Sequence, residues 1–299
     1  MPARSGPAKV ASAPLLVIVA GPNGSGKSTL IAALRSDAAV RLPALYINAD
    51  DLQRERGLAD AAQAQRLATT LRTRALQARS DLMYETVMSH PSKVAELQQA
   101  RAAGYHVVVH LVATEDAALN VARVAARVAA GGHDVPPDRI AERYVRTLAL
   151  APLAIAQANE AFVFDNSRSA TAAHHPTLHA ALQAHRLALA TDAPAQWVQR
   201  LAHQVSERAA EAQAFTQAVA SRGLAWRPAR LDDEATQGPI VALGKHHVLQ
   251  YDESSGRAVL HERVLLGAQA NGLALQQSQR LVYRDGVARI EPPQQARQR

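Results

Sequence analysis

In the first half of the chain, short unbroken apolar runs alternate with longer stretches whose apolar residues recur at helical spacing. Leu15-Leu16-Val17-Ile18-Val19 is such a run. It is rich in β-branched residues and is followed by Gly21, which predicts a buried parallel strand. Residues 28–34 open a helix. A second strand is expected at 44–49, a long helix with a polar face at 61–82, a helix at 94–103 ended by Gly104, and a strand at 106–113. Thr114 is placed to cap a helix over 117–130, which Gly131-Gly132 would stop. A helix at 138–150 and a strand at 161–164 complete the series. Strands alternating with helices imply βαβ units and a mainly parallel sheet, and the alternation closes near residue 170.

The pattern then changes twice. Residues 177–222 are rich in Ala, Gln and Arg, have apolar residues at helical spacing and carry no strand signal, so they read as one or two exposed helices. From Pro239 the chain offers strand-like runs at Ile240-Val241-Ala242-Leu243, His247-Val248-Leu249-Gln250-Tyr251, Arg257-Ala258-Val259-Leu260 and Arg280-Leu281-Val282-Tyr283. Gly244, residues 252–256 and Asp285-Gly286 punctuate them as turns. The paired His246-His247 fits strand alternation better than metal ligation. The expected organisation is a flexible tail (1–13), an α/β domain (14–170), a helical linker or arm (171–226), a small β-rich domain (227–290) and a second flexible tail (291–299). Since the alternation ends before it, residues 1–175 are expected to fold as a unit.

Composition narrows the chemistry. Aromatic residues make up 4% of the 299, so the core must be aliphatic. There is no cysteine, which excludes disulfides, a thiolate nucleophile and Cys-ligated metal. Only four of the 33 basic residues are lysine, a bias that fits genome composition as well as function. The net charge of +7 is thus weak support for a nucleic-acid partner. The longest apolar run is too short to span a bilayer, so no membrane association is expected. No export signal is read, and a cytoplasmic location is expected.

The strongest motif is Gly21-Pro22-Asn23-Gly24-Ser25-Gly26-Lys27-Ser28, followed by Thr29. It fits G-x-x-x-x-G-K-[ST], with a strand before it and a helix after it. Its glycines let backbone N–H groups turn toward phosphates, and the helix beginning at Lys27 adds a positive N-terminal end. Lys27 is expected over the β- and γ-phosphates and Ser28 on Mg²⁺, with ATP as the nucleotide. Asp50 ends the second strand candidate, where the carboxyl ends of strands face the ligand crevice, and it can take a proton from an attacking hydroxyl. Asp51 is expected to cap the next helix. Glu85 and Thr86, in a segment before a helix near Pro91, are candidates for binding an acceptor's hydroxyls. Arg123, Arg127, Arg139, Arg143 and Arg146 flank Gly131-Gly132-His133. Two arginine-bearing helices joined by a Gly-Gly hinge describe a lid over phosphates, since guanidinium binds phosphate oxygens bidentately and stays charged when desolvated. His133 reads as a hinge or substrate-orienting residue rather than a metal ligand.

Taken together, residues 14–170 resemble the zeta-toxin family of P-loop kinases. The matching stretches run from Ala20 through the phosphate loop to Thr29, then Ile47-Asn48-Ala49-Asp50, residues 85–93, Gly104-Tyr105, residues 127–136, Arg143-Tyr144 and Phe164-Asp165-Asn166-Ser167. The fold implied is the three-layer P-loop NTPase fold with a mainly parallel sheet, here followed by a helical arm and a small β-rich C-terminal domain. The resemblance implies ATP- and Mg²⁺-dependent phosphorylation of the 3′-hydroxyl of a nucleotide sugar, UDP-N-acetylglucosamine or a relative, by a toxin with a separate antitoxin partner. Asp50 is then the general base, Lys27, Arg127 and Arg143 act on the phosphates, and Glu85, Thr86 and His133 bind the acceptor. The acceptor segment departs from the Gly-containing version of the best-known plasmid toxins. Residues 238–250, 259–263 and 280–286 resemble the KfrB domain of conjugative plasmid proteins, which implies a mobile element. Two other functions remain open: a polynucleotide or nucleoside kinase, and a plasmid-associated nucleic-acid-binding protein with a regulatory ATPase. The chain lacks the aromatic-plus-basic strand pattern of single-strand binders, which ranks the last reading lowest.

Lys27→Ala should abolish phosphoryl transfer with the fold intact, since losing a preorganised charge on the transferring group costs at least about 10²-fold. Near-native turnover of this variant in a phosphoryl-transfer assay would remove the loop from the mechanism.

Overall fold

The structure, a computed structural model, describes residues 13–131, 134–168, 175–232 and 234–292. Strand β1 (Leu15–Ala20) is buried along its whole length. Its alternate residues Leu16, Ile18 and Ala20 enter one apolar cluster, while Leu15, Val17 and Val19 enter another. This is why the run shows no polar alternation: the strand is covered on both faces. The chain continues through α1 (Lys27–Ser36), β2 (Tyr46–Ile47), α2 (Ala49–Arg56), α3 (Ala61–Gln77), β3 (Leu82–Thr86) and α4 (Ser92–Ala102). Then come β4 (His106–Ala113), α5 (Ala117–Ala129), α6 (Pro137–Gln157), β5 (Glu160–Asp165), β6 (Thr177–Gln183), β7 (Arg186–Leu189) and α7 (Gln196–Ala220). The sheet order is β2-β3-β1-β4-β5-β6-β7. The first five strands are parallel, and β6 and β7 extend the sheet as an antiparallel hairpin.

A second sheet follows, built from β8 (Trp226–Pro228), β9 (Ala235–Leu243), β10 (His247–Asp252), β11 (Arg257–Glu262), β12 (Ser278–Arg284) and β13 (Val287–Glu291). Its order is β13-β12-β9-β10-β11-β8. The short helix α8 (Arg263–Leu266) and a 3-10 turn precede β12. The four strand-like runs read from the sequence fall within β9, β10, β11 and β12. The two sheets share a core: Val163, Ala180 and Leu187 of the first, Ile240, Val248 and Val259 of the second, and Trp197, Val198, Leu201 and Val205 of α7 belong to one buried cluster. Among the described residues, no helix is long and apolar enough to cross a membrane.

Several expectations are corrected. The helix over 61–82 stops at Gln77, and Leu82 begins β3, a strand not expected there, which Tyr84-Glu85-Thr86 ends. Arg79 takes a left-handed conformation (φ 53°), with Arg79 N–H bonded to Leu76 O at 3.1 Å and Ser80 N–H to Ala75 O at 3.0 Å. That double closure ends helices in the way glycine usually does, but no glycine marks it here. The strand expected at 44–49 shrinks to Tyr46–Ile47. Helix α5 is capped by Asp116, whose carboxylate accepts Ala118 N–H at 2.9 Å, while the Thr114 hydroxyl is engaged with Asp116 O and Asn120.

Segment 171–226 is the largest correction. Only α7 is a helical arm, and its buried face makes it part of the core. Before it lies the β6–β7 hairpin, turned by Ala184-His185 with both residues at positive φ (46° and 65°). That is the conformation of a two-residue type I′ turn, which ordinarily calls for Asn-Gly. Residues 1–175 therefore lack strands and a helix that complete the first sheet. The indole of Trp197, 2% exposed, donates Nε1–H to Asp165 Oδ1 at 2.7 Å at the end of β5. Trp197→Ala should lower stability by about 3–5 kcal/mol. Denaturant titration reads this, and a loss within error of zero would show that α7 is dispensable to the core.

Candidate active site

The phosphate loop is bent around two close approaches. Gly21 sits so near β4 that a Cβ there would lie 2.1 Å from Val112 O. Gly26 caps α1 at φ 96°, and a Cβ there would lie 2.2 Å from the Asn166 amide. That absence of side chain lets Asn166 Nδ2 donate to Ser25 O at 2.9 Å. Gly21 N–H donates to Thr86 O at 3.1 Å, so the loop is pinned on the side of β3 as well. Lys27 Nζ folds back to donate to Gly21 O (3.0 Å) and Pro22 O (3.1 Å). Ser25 Oγ is buried without a hydrogen-bond partner. Ser28 and Thr29 are exposed at the start of α1, and Asn23, Gly24, Gly26, Lys27, Ser28 and Thr29 all border one cleft.

Burial draws the Lys27 ammonium below its usual 10.5. Glu85 and Asp50 oppose that shift, and Arg127 and Arg143 reinforce it. The five charges thus act on one another across a single site.

The part of the cleft around Asp50 and Glu85 is organised by Asn48, to which the sequence analysis assigned no role. Its Oδ1 accepts Asp50 N–H (2.7 Å) and Asp51 N–H (3.2 Å), so Asn48 caps α2 rather than Asp51. Its Nδ2 donates to Glu85 Oε1 (2.8 Å) and Tyr46 Oη (2.9 Å). Asp50 consequently stands in the first turn of α2, exposed, and not on the strand. Asp51 pairs with Arg54. Glu85 is half-buried at the end of β3, and its Oε2 has no hydrogen-bond partner. Burial raises its pKa, against the opposing pull of Lys27 and Asn48. Thr86 Oγ1 accepts Met88 N–H at 3.1 Å, which leaves the hydroxyl hydrogen free to donate. Met88 itself is buried with φ 57°. The Asn48 signal was present in the sequence as an Asx residue just ahead of a helix. Asn166 lies in a stretch that carries the resemblance, but its bond to the loop is visible only in the fold.

The cleft, about 1520 Å³, runs from the phosphate loop past Asp50 and Glu85 to α4, under α5 and α6. It has room for a nucleotide and a second substrate together. Arg123, Arg127, Arg139 and Arg143 border it. Arg143 Nη1 also donates to Asn23 Oδ1 at 3.3 Å, tying α6 to the loop. Arg146 is absent from the border and pairs with Glu142 at 3.0 Å. His133 and Gly132 lie outside the described residues. Among the described residues, no group of three or more His, Asp or Glu could hold a metal unaided. The exposed Ser28 hydroxyl fits instead a magnesium ion held jointly with the phosphates.

A central parallel strand that ends in a lysine-bearing glycine loop and a helix, flanked by strands in the order β2-β3-β1-β4-β5, defines a P-loop protein. The model of the zeta toxin family matches residues 4–171, and the chain belongs to that family of phosphotransferases. An uncharacterized protein of Haemophilus influenzae is 28% identical over 128 residues, which cover 43% of this chain and 91% of that protein. A solved structure from the PezAT chromosomal toxin–antitoxin system of Streptococcus pneumoniae is 18% identical with a TM-score of 0.37, covering 55% of this chain and 72% of that one. The AvrRxo1-ORF1:AvrRxo1-ORF2 complex gives 14% identity and a TM-score of 0.46, covering 63% of each chain.

The raised Glu85 pKa has a consequence for stability. In the unfolded chain the carboxyl ionises near its ordinary 4.5, whereas in the folded protein it holds its proton to higher pH. Its contribution is therefore most favourable below 4.5 and is lost as pH rises through the raised value. Glu85→Gln should melt above the parent at neutral pH, with the gap closing in acid. An equal or lower melting temperature at neutral pH would show that Lys27 and Asn48 outweigh the burial.

Proposed function

We propose that the chain is an ATP-dependent kinase that phosphorylates a sugar hydroxyl of a nucleotide sugar, with the 3′-hydroxyl of UDP-N-acetylglucosamine as the acceptor to test first. The observation that carries this reading is the unpartnered Glu85 oxygen, held by Asn48 within electrostatic reach of Lys27 and Asp50 at a cleft large enough for two substrates. A plain ATPase needs only a water. An unpartnered carboxylate oxygen and a threonine hydroxyl with its hydrogen available, on two residues that border the cleft, suit a polyhydroxylated acceptor.

In this reading Lys27 leaves its present carbonyl partners for the triphosphate, while the Gly21 N–H bond to Thr86 O keeps the loop in place. Arg127 and Arg143 close on it from α5 and α6. Glu85 accepts, and Thr86 donates, hydrogen bonds that orient the acceptor; His133 is assigned the same task through the resemblance. Ser28 would hold a magnesium ion together with the nucleotide, and that ion would supply charge neutralisation at the phosphates. The acceptor oxygen attacks the γ-phosphorus, its bond to the β–γ bridging oxygen breaks, ADP leaves, and Asp50 takes the hydroxyl proton. Catalysis is then positioning and electrostatics, with little covalent work for the protein.

Family membership also supports a toxin role, with a separate antitoxin as partner. The KfrB resemblance falls on β9, β10, β11, β12 and the turn after β12, which supports reading the second sheet as that plasmid-borne module. Assaying nucleotide sugars, nucleosides and oligonucleotides side by side, by the mass gain of one phosphoryl group, separates the sugar reading from a nucleoside or polynucleotide kinase. Salt-dependent nucleic-acid binding without transfer would favour the nucleic-acid-binding alternative.

Asp50→Asn keeps shape and reach but cannot accept the proton. Transfer should fall by about 10²–10⁴-fold, the usual worth of a general base. ATP affinity should stay within roughly tenfold, because Lys27 and the arginines are untouched. Outright loss of ATP–Mg²⁺ binding, measured by calorimetry, would make Asp50 a metal-site residue and Glu85 the next candidate base.

A further inference from the structure

We propose that the turn between β12 and β13 of the second sheet is a positioning device for the acceptor side of the cleft, an inference that rests on reading residues 85–93 as that side. Gly286 is buried at φ 76°, pressed against the start of α4. A Cβ there would stand 2.4 Å from Pro91 O and 2.9 Å from Ser92 N. Pro91 O is the acceptor for Val94 N–H and Ala95 N–H, so this contact bears on the first turn of the helix itself.

A second grip lies two turns further along the same helix face. Gln98 is seven residues beyond Pro91 and so points the same way. Its Nε2 donates to Ala229 O and its Oε1 accepts Leu231 N–H, both at 2.8 Å. Leu231 O in turn accepts Gly286 N–H at 2.9 Å. Turn 285–286, segment 229–231 and α4 thus form one closed unit. Val94 and Leu97 of α4 and Ala229 and Leu231 are buried in the same cluster.

The segment being held is under strain. At its other end β3 is pinned to the phosphate loop through Thr86 O. Between the two anchors, Met88 is a non-glycine residue in the left-handed region. Such a conformation costs on the order of 1–3 kcal/mol and persists only where its surroundings impose it. Val87, Met88, Ser89 and His90, together with Lys93, border the cleft. Val87 O is held from α6 by the Thr147 hydroxyl at 2.7 Å, and Pro91 is where the segment joins α4 and meets the second sheet. Nothing in the grip touches the phosphate loop directly, so it should govern the acceptor and leave ATP alone.

The test uses the full chain with Gly286→Asn and Gln98→Leu. Asparagine tolerates left-handed φ, so Gly286→Asn adds the Cβ contact with little turn strain. Gly256→Asn is the control: Gly256 has φ 66° in the β10–β11 turn, and a Cβ there meets only Tyr251 Oη at 3.9 Å. Amide exchange over residues 87–93 should accelerate by about 3- to 30-fold in both variants and not in the control. The KM for UDP-N-acetylglucosamine should rise over the same range, with the KM for ATP unchanged within about twofold. If Gly286→Asn does not fold, Gln98→Leu decides. Exchange no faster than in the control, or a parallel rise of both KM values, overturns the proposal. If the parent transfers phosphate to no nucleotide sugar, the proposed function fails separately, and exchange alone decides this inference.

Discussion

A phosphate loop must hold several N–H donors and a lysine in place when no phosphate is present to pay them back. Here the loop is clamped from both sides of β1. Thr86 at the end of β3 takes the first loop N–H, and Asn166 just past β5 reaches across Gly26 to the Ser25 carbonyl. Lys27 satisfies itself on the loop's own carbonyls. Since the clamping residues come from the two neighbours of the central strands, the loop's shape depends on the sheet being complete. That dependence runs outward: Asp165, beside Asn166, is bonded by the Trp197 indole, and Trp197 roots α7 in the core shared with the second sheet.

The second constraint is electrostatic. Lys27, Glu85 and Asp50 share a partly buried site with Arg127 and Arg143. The lysine is pulled down and the carboxyl pushed up by the same desolvation, so each would be less costly neutral. They are retained charged only to the extent that they compensate one another. A triphosphate entering this site brings negative charge to the lysine and arginines and leaves Glu85 without compensation. Its unpartnered oxygen then has the strongest reason to seek a donor, which an acceptor hydroxyl supplies. Under the proposed kinase reading, charge therefore favours nucleotide first and acceptor second.

What the sequence discloses here is what is local. The phosphate loop is legible because strand, glycines, lysine and helix are contiguous. Of the parallel strands, β1, β4 and β5 are legible because each carries a largely apolar run, whereas β3 is not, its first residue Leu82 continuing the helical spacing of α3 and its end being the polar Glu85-Thr86. The β6–β7 hairpin is not, because Ala184-His185 adopts a turn that carries no glycine or asparagine, and its strands have exposed polar positions that imitate a helix pattern. The end of α3 is hidden for the same reason at Arg79. Among the arginines, 139, 143 and 146 lie on one helix at spacings of four and three, and only packing against the cleft separates Arg146 from the others. Asn48 lies between: its capping role is a local rule, but its bond to Glu85, 37 residues away, depends on β2 lying beside β3.

The joining of the two sheets changes what the C-terminal module means for the rest. A separate domain on a helical arm would leave the cleft as it is. The module seen here contributes to the same buried cluster, grips α4 at Pro91 and Gln98, and receives α7 along β10 through Glu211, which accepts His246 N–H at 2.7 Å and faces His247 at 3.2 Å. Each contact is on an element that leads directly to the site: α4 to the strained Met88 segment, α7 to Asp165 and Asn166. A load on the second sheet, such as a bound partner, would reach the acceptor side through one route and the phosphate loop through the other. The two routes differ in stiffness. The α4 route ends in a segment with a left-handed Met88, whereas the α7 route ends in a buried indole hydrogen bond within the core. Any influence of the module on the site should therefore fall on the acceptor before it falls on the nucleotide.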